Sequence, residues 1–125
     1  MERLIYPFLA GGNVVANQIV THVNGIDGVV GASTATSTVV LMGVTTDIGG
    51  STGQTVDVVI GDVADLKLGG AVKMFDPITT DSSGYGIAAV ANTVALVQSI
   101  GYALDAGASG EIIPIMVQQN TIAKM

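Results

Sequence analysis

The chain has 125 residues, of which 49% are hydrophobic and only 11% are charged, and its formal net charge is −6. Its four basic residues cannot neutralise a row of phosphates, which excludes nucleic-acid binding and attachment to anionic lipid surfaces. Cysteine is absent, so disulfides and thiolate chemistry are excluded, and a surface so poor in charge favours a chain that stays associated with copies of itself or with a partner.

Two long uncharged stretches, residues 4–26 and 82–104, raise the question of a membrane span or a signal peptide. Both are interrupted too often by Gly, Asn, Ser or Gln to form a spanning helix, and Pro7 ends the first apolar run early. We therefore expect a soluble, untargeted protein with no membrane partner.

The first fifteen residues differ from the rest of the chain. They begin with an apolar cluster, namely Leu4, Ile5, Tyr6, Pro7 and Phe8. Because Pro7 favours an extended conformation in the residue before it, we predict an extended N-terminal arm at residues 1–15, followed by a single β-rich domain at 16–125. The arm has two interpretations: docking on a neighbouring subunit by strand addition or in a groove, or a first strand packed on the domain's own core.

Seventeen glycines separate short apolar segments, which is typical of an all-β domain with frequent turns. Strands are predicted at residues 18–23, 39–45, 55–60, 71–74, 99–104 and 112–117. The clearest is 55–60, where Val56, Val58 and Ile60 share one face. Residues 87–98 fit either a short helix or a strand with a loop, and the Asn92-Thr93 interruption favours the second.

The sequence also contains a weak internal repeat. Residues 42–47 and 53–60 resemble residues 100–105 and 110–117, with one residue fewer in the second loop. Two such strand–loop–strand units indicate a small barrel with pseudo-two-fold character. The second copy contains Pro114, which cannot donate to a β-ladder, so we expect its strand to lie at a sheet edge or beside a bulge.

No constellation for catalysis is present. His22 is the only histidine and lies in an alternating strand pattern, so no nucleophile–base pair can be assembled around it. The acidic residues Asp57, Asp62 and Asp65 do not have the spacing of a calcium loop and are interpreted as solvated charges. We predict no enzyme activity, no cofactor and no metal site.

One competing hypothesis is a biotinyl- or lipoyl-carrier domain. The segment Ala71-Val72-Lys73-Met74 resembles the Ala-Met-Lys-Met hairpin whose lysine is modified in those small acidic β domains. Here Gly70 and Val72 depart from that pattern, and Lys73 is predicted within a strand rather than at a hairpin tip.

The chain from Val39 to its last residue, about two-thirds of its length, resembles the head-decoration (cement) proteins of tailed bacteriophages. The matching segments are Gly43-Val44 with Asp47, Gly53 leading into Val56-Asp57-Val58, Gly69-Gly70-Ala71-Val72, Asp76-Pro77-Ile78-Thr79-Thr80-Asp81, Ile100-Gly101-Tyr102-Ala103-Leu104, and Gly110 before the last strand. The sequence departs from the family pattern at Phe75, where the family has the glycine of Gly-Asp-Pro. Residues 1–38 match less well.

This resemblance implies a mainly β, single-domain barrel or "β-tulip" fold that binds the exterior of an expanded capsid. The expected function is a structural virion protein that stabilises contacts between major capsid subunits, present in the host cytoplasm during assembly. Its expected partners are the major capsid protein and itself, as a homotrimer or alternatively a dimer. The arm residues Leu4, Ile5, Tyr6, Pro7 and Phe8 are the candidate capsid or intersubunit contacts. Another virion component, such as a tail or head-completion subunit, is the main alternative.

Overall fold

The structure is a computed structural model that describes residues 4–22, 29–32, 41, 43–81, 83–89 and 97–122. All regular elements within these ranges are β-strands, which confirms the mainly β, barrel-like class. The strands are β1 (Leu4–Ala10), β2 (Ile19–His22), β3 (Val29–Ala32), β4 (Gly43–Thr45), β5 (Thr55–Lys67), β6 (Pro77–Thr80), β7 (Gly86–Ala88), β8 (Val97–Ala103) and β9 (Ile112–Ile122).

The nine strands form one continuous sheet that closes on itself twice. Its order is β1-β3-β2-β4-β5-β9-β8-β6-β7, and β1 also pairs with β5, which closes the first five strands into a ring. At the other end, Leu68 directly after β5 bridges Gly86 in β7, so the remaining strands close in the same way. We call β1–β4 with residues 55–61 the first lobe, and residues 62–67 with β6–β9 the second lobe.

Each lobe has an apolar interior. The first-lobe interior contains Ala10, Val14, Val20, Val56 and Val58, with Phe8 and Ile60 packed against it. The larger cluster contains the second-lobe residues Ala64, Leu66, Leu68, Val72, Ile78, Ile100, Ala103, Ile113, Ile115 and Val117. That cluster also takes in four first-lobe residues, Ile19, Leu41, Val44 and Val59, so the two lobes share one core.

Most predicted strands are confirmed. The patterns at 18–23, 55–60, 99–104 and 112–117 correspond to β2, β5, β8 and β9, although position 23 lies outside the described residues. Of the pattern at 39–45, residues 43–45 form β4, Leu41 is not in a strand, and positions 39, 40 and 42 lie outside the described residues. The strands β3 and β6 were not predicted, since their sequences VVGA and PITT show no clear alternation of apolar and polar residues. Of the ambiguous segment 87–98, the two ends belong to β7 and β8, and 90–96 lies outside the described residues.

The predicted strand at 71–74 is wrong. Within it only Val72 pairs, in an isolated bridge with Gly107, and Met74 lies in a turn. The Asp76 carboxylate accepts a hydrogen bond from the backbone N of Lys73 at 2.9 Å, and this side-chain bond holds the turn in place of a ladder.

The expectation for Pro114 is also wrong, because β9 lies between β5 and β8 rather than at an edge, and the register shift of the β8–β9 ladder lies between Ser99 and Gly101, away from Pro114. The carbonyl of Pro114 accepts a hydrogen bond from the N–H of Leu104, which follows the last residue of β8. In an antiparallel ladder a residue's N–H and C=O point to the same neighbour. The missing N–H of Pro114 therefore faces the end of β8, where the ladder stops.

The N-terminal segment is a strand of the first lobe from Leu4 to Ala10, paired antiparallel with β5 and parallel with β3. This corresponds to the second interpretation of the segment, a first strand on the domain's own sheet. Whether its exposed side also contacts a neighbouring subunit, and whether residues 1–15 act as a separate arm, stay predictions.

Candidate interaction surfaces

The two lobes are copies of one another in backbone pairing. Cross-strand pairs of the first lobe recur in the second lobe 58 residues later, except that the offset is 56 residues from β3 to β7 and 57 residues after the shortened β8–β9 loop. The matched pairs are Ile19–Val44 with Pro77–Tyr102, Val44–Val59 with Tyr102–Met116, Val20–Ala32 with Ile78–Ala88, and Phe8–Val56 with Leu66–Ile113. The predicted repeat is therefore confirmed and extends over all five strands. Each repeat forms its own ring, so the barrel-like sheet consists of two fused rings.

The connections are duplicated as well. The isolated bridge Val14–Gly50 recurs as Val72–Gly107. Asp76 stabilises a turn in the second lobe, and Gln18 stabilises the equivalent turn in the first lobe. The side-chain oxygen of Gln18 accepts a hydrogen bond from the backbone N–H of Val15 at 3.0 Å. Equivalent side-chain chemistry at equivalent turns supports a duplication rather than a chance likeness of patterns.

A row of three side chains lies on the outer face of the first lobe, formed by Ile19, Val44 and Val59 across β2, β4 and β5; we call it the first-lobe outer row. Outward residues of a small barrel normally face water. These three are at most 1% exposed, and they belong to the same apolar cluster as the second-lobe interior. The second lobe therefore covers this row.

Four hydrogen bonds also join the two lobes next to the first-lobe outer row. The N–H of Lys67 donates to the carbonyl of Asn17 at 2.9 Å, and the Asn17 side chain donates to the carbonyl of Asp65 at 3.0 Å. The N–H of Ile19 donates to the carbonyl of Gly84 at 2.7 Å. The fourth bond runs from the Gln18 side chain to the carbonyl of Ser83 at 2.6 Å. Strand β5 and the β6–β7 turn thus contribute the second lobe's side of the junction.

Among the described residues, nothing equivalent covers the corresponding row on the second lobe, which is formed by Pro77, Tyr102 and Met116. Pro77 is exposed, and the other two are half-buried. Phe75 stands beside this second-lobe outer row at 67% exposure, with its ring centroid 6.4 Å from that of Tyr102. The neighbouring Met74 is 52% exposed. The result is an uncovered apolar surface at the position where the first lobe is covered.

Strand β1 carries the candidate contact residues taken from the sequence. Ile5, Tyr6 and Pro7 are exposed, whereas Phe8 is half-buried and packs against the first-lobe interior. The side chain of Leu4 lies outside the described residues. Leu9 is 48% exposed and was not among the candidates, although the alternation of Ile5, Pro7 and Leu9 along the strand was available to identify it.

The described residues were compared with the expected absence of a metal site and of a membrane span. No group of three or more His, Cys, Asp or Glu side chains within the described ranges is placed to hold a metal ion. Nor does that part of the chain contain a helix long and apolar enough to cross a membrane.

Lys73 is exposed and lies next to a turn, not within the strand predicted for it. The first lobe has the same turn with Val15 at the equivalent position. The turn is thus a shared structural feature of both lobes, and the intact mass of the purified protein reports directly whether Lys73 carries a biotinyl or lipoyl group.

Neither a family model nor a curated protein sequence matches this chain. Among solved structures, the chain is similar to the N base of the head fiber protein gp8.5 of bacteriophage phi29, with a TM-score of 0.66 at 18% sequence identity. The similarity covers 94% of this chain and 95% of that one. The shared fold therefore includes both lobes and the junction between them.

Proposed function

We propose that this chain is a structural protein of a tailed-bacteriophage virion that binds the outer surface of the head and stabilises contacts between major capsid subunits. The observation that carries the proposal is the similarity over almost the whole chain to the base of a phage head fiber. The resemblance of residues 39–125 to head-decoration proteins points independently to the same location.

The surface chemistry supports a role in permanent contacts. Only 11% of the residues are charged, and large apolar side chains are exposed on both lobes, among them Tyr6 and Phe75. Apolar side chains left in water cost free energy that burial in an interface recovers, and obligate interfaces are the more apolar kind. The net charge of −6 suits the exterior of a head better than its DNA-facing interior.

Repetition explains how a small protein of this kind could stabilise a large shell. A ligand that binds only the expanded lattice favours that state by mass action, and attachment at several points adds avidity without new chemistry. The partners proposed are the major capsid protein and further copies of this chain, in a homotrimer. A head fiber base and a cement protein both fit this scheme and differ in whether anything projects from the bound protein.

A binding experiment with purified heads tests the proposal. The protein is mixed with expanded heads that lack it and with unexpanded heads, and the fraction that sediments with each is measured. We expect binding to the expanded heads only, together with a higher temperature of head disruption. Absence of binding to expanded heads would contradict the proposed function.

Paired variants ask whether β1 takes part in that binding. Because β1 is a strand of the first ring, deleting it would damage the fold, so the exposed side chains are changed instead. Ile5→Ser combined with Tyr6→Ser is expected to reduce binding. Ile48→Ser, which removes a 72% exposed apolar side chain from the β4–β5 loop, serves as the control and is expected to leave binding unchanged.

A further inference from the structure

The second-lobe outer row belongs to a wider apolar face. Along β9, every second residue from Ile113 to Val117 is buried, and the residues that alternate with them point outward. Leu104 follows β8 and lies beside one of these outward residues, because its N–H donates to the carbonyl of Pro114 at 3.0 Å. Phe75 borders the row through an aromatic contact. We call this set the second-lobe outer face; its members are Phe75, Pro77, Tyr102, Leu104, Ile112, Pro114 and Met116.

The first lobe has polar residues at four positions equivalent to members of this face. The four pairs, with the first-lobe residue given first, are Asn17 and Phe75, Thr46 and Leu104, Thr55 and Ile112, and Asp57 and Pro114. Backbone contacts establish the equivalence. The N–H of Thr46, for example, donates to the carbonyl of Asp57 at 3.2 Å, and the counterpart of this bond in the second lobe ends at Pro114. Because the strand pairing is the same in both lobes, the fold itself does not require apolar side chains at these positions.

Phe75 stands out in this face because the isolated chain gains little from it. Its φ of 68° lies in the left-handed region, where a bulky residue is a rare outlier, whereas Asn17 has the same conformation with a side chain that tolerates it. The ring is also 67% exposed, and the neighbouring Met74 is 52% exposed. Strained residues cluster at functional sites, and aromatic residues are enriched at the centres of interfaces. We therefore expect a partner to cover Phe75.

We propose that the second-lobe outer face packs against the same face of another copy of this chain. The first lobe shows that this fold packs lobe against lobe, because its own outer row is covered by the second lobe. Two apolar sheet faces pack about 10 Å apart, as they do in β-sandwiches. A two-fold dimer and a homotrimer with these faces around its axis both bring the face against itself. The inference goes beyond the proposed function and does not depend on a capsid.

The charges at the margin of the face favour a second copy over a strongly charged partner. On β5, Asp65 and Lys67 pair with outward residues of the face, so one acid and one base border it. A partner with a single dominant sign of charge would be repelled by one of the two, and like charges brought together in an interface cost free energy. A second copy has the same balanced margin, and an antiparallel arrangement of the two margins brings each charge near its opposite.

Two substitutions test the contact by introducing the residue that the first lobe has at the equivalent position. Phe75→Asn and Ile112→Thr remove exposed apolar side chains, and the same backbone accommodates these residues in the first lobe, so we expect the double variant to fold. It is expected to weaken self-association by about thirtyfold or more, as loss of an interface hot spot does, when measured by sedimentation velocity. Ile48→Asn removes a 72% exposed apolar side chain from the first lobe and is expected to associate as the unchanged protein does.

Two results of the sedimentation experiment would overturn the proposal. One is an unchanged protein that stays monomeric at its highest soluble concentration. The other is a double variant that associates as the unchanged protein does. If that variant also failed to bind expanded heads, the face would be assigned to the capsid rather than to a second copy.

A cross-link identifies the face that meets the second copy without weakening the interface. The chain has no cysteine, so the single variants Phe75→Cys, Ile112→Cys and Met116→Cys each introduce one thiol. A thiol-reactive linker of about 10 Å matches the separation of packed sheets. Because the face meets itself, at least one of the three variants is expected to form covalent dimers, whereas Ile48→Cys is expected to stay monomeric on the gel. Absence of dimers from all three variants would contradict the contact.

Discussion

The two lobes share one strand pairing and differ in what lies outside it. Val59 and Met116 occupy equivalent places in their outer rows, yet Val59 is 1% exposed whereas Met116 is half-buried. The strands are the same, and the difference arises because the first lobe has a neighbour at this face. Burial of an outward residue in a small barrel is thus set by what packs on the barrel and not by the barrel itself.

The interiors of the two lobes differ in the opposite sense, because here it is the second lobe whose side chains are the more buried. Leu66 and Ala64 in the second lobe are 0% and 1% exposed, whereas their counterparts Phe8 and Tyr6 are half-buried and 52% exposed. The second lobe therefore has the more closed interior, and the first lobe gains much of its apolar burial at the junction. Stability of the first lobe consequently depends on the second.

Equivalent glycines give the largest expected effects. A Cβ at Gly43 would meet the carbonyl oxygen of Val59, and one at Gly101 would meet that of Met116. Gly101 also has a φ of 154°, which side chains rarely adopt. We expect Gly101→Ala to reduce the free energy of unfolding by about 4 kcal/mol and Gly43→Ala by about 2 kcal/mol, because overpacking and backbone strain each cost about 1–3 kcal/mol.

Urea unfolding of both variants measures these differences. A larger loss for Gly43→Ala than for Gly101→Ala, or no shift of the unfolding midpoint in either variant, would contradict the close contact of both glycines with the neighbouring carbonyl oxygens.

The outer rows provide the next comparison. Val59→Asn is expected to cost about 3 kcal/mol, because it removes buried methyl groups and leaves an amide without partners. Met116→Asn, at the uncovered counterpart, is expected to cost about 1 kcal/mol or less when measured on the monomer. Thermal unfolding at low protein concentration provides the measurement. Equal losses would mean that the second-lobe row is covered within the chain.

The two turns differ in how far their side chains reach. Gln18 holds its own turn and also donates to the carbonyl of Ser83 in the other lobe, whereas Asp76 holds its turn. Gln18→Ala is therefore expected to cost about 2 kcal/mol and Asp76→Ala about 1 kcal/mol, at roughly 1 kcal/mol for each hydrogen bond lost. Chemical denaturation distinguishes the two, and a larger loss for Asp76→Ala would contradict the role of Gln18 in joining the lobes.

The smallest effect is expected at the left-handed position. Phe75 has a φ of 68°, a conformation that asparagine tolerates better than a bulky residue does. Phe75→Asn should stabilise the monomer by up to about 1 kcal/mol, and Asn17→Phe should destabilise it. A lower melting temperature for monomeric Phe75→Asn would show that the phenylalanine ring stabilises its own chain.

The sequence predicted the β-rich class and the alternation of the longest strand, because Val56 and Val58 repeat every second residue. It also revealed the repeat, though only in the part where the two copies still share apolar patterning. The full duplication was not recognisable, since equivalent residues such as Asn17 and Phe75 or Leu9 and Lys67 have no chemistry in common. Backbone pairing had to be known before these positions could be matched.

The candidate surface was only partly predictable for a related reason. Ile5 and Tyr6 stand out in the sequence as apolar residues near the N-terminus, and they are exposed. Nothing in the sequence distinguishes Tyr102 or Met116, which lie in an ordinary strand pattern, from residues that a neighbouring lobe covers. Exposure there is decided by contacts between elements far apart in the chain.

The most direct measurement for the proposed function is quantitative mass spectrometry of virions purified from the source of this chain. The quantity to determine is its copy number relative to that of the major capsid protein. We predict about as many copies of this chain as of the major capsid protein, as expected for a protein that occupies the head lattice. Absence of the chain from purified virions would contradict it, and a few copies per particle would assign the chain to a unique vertex or the tail rather than the head surface.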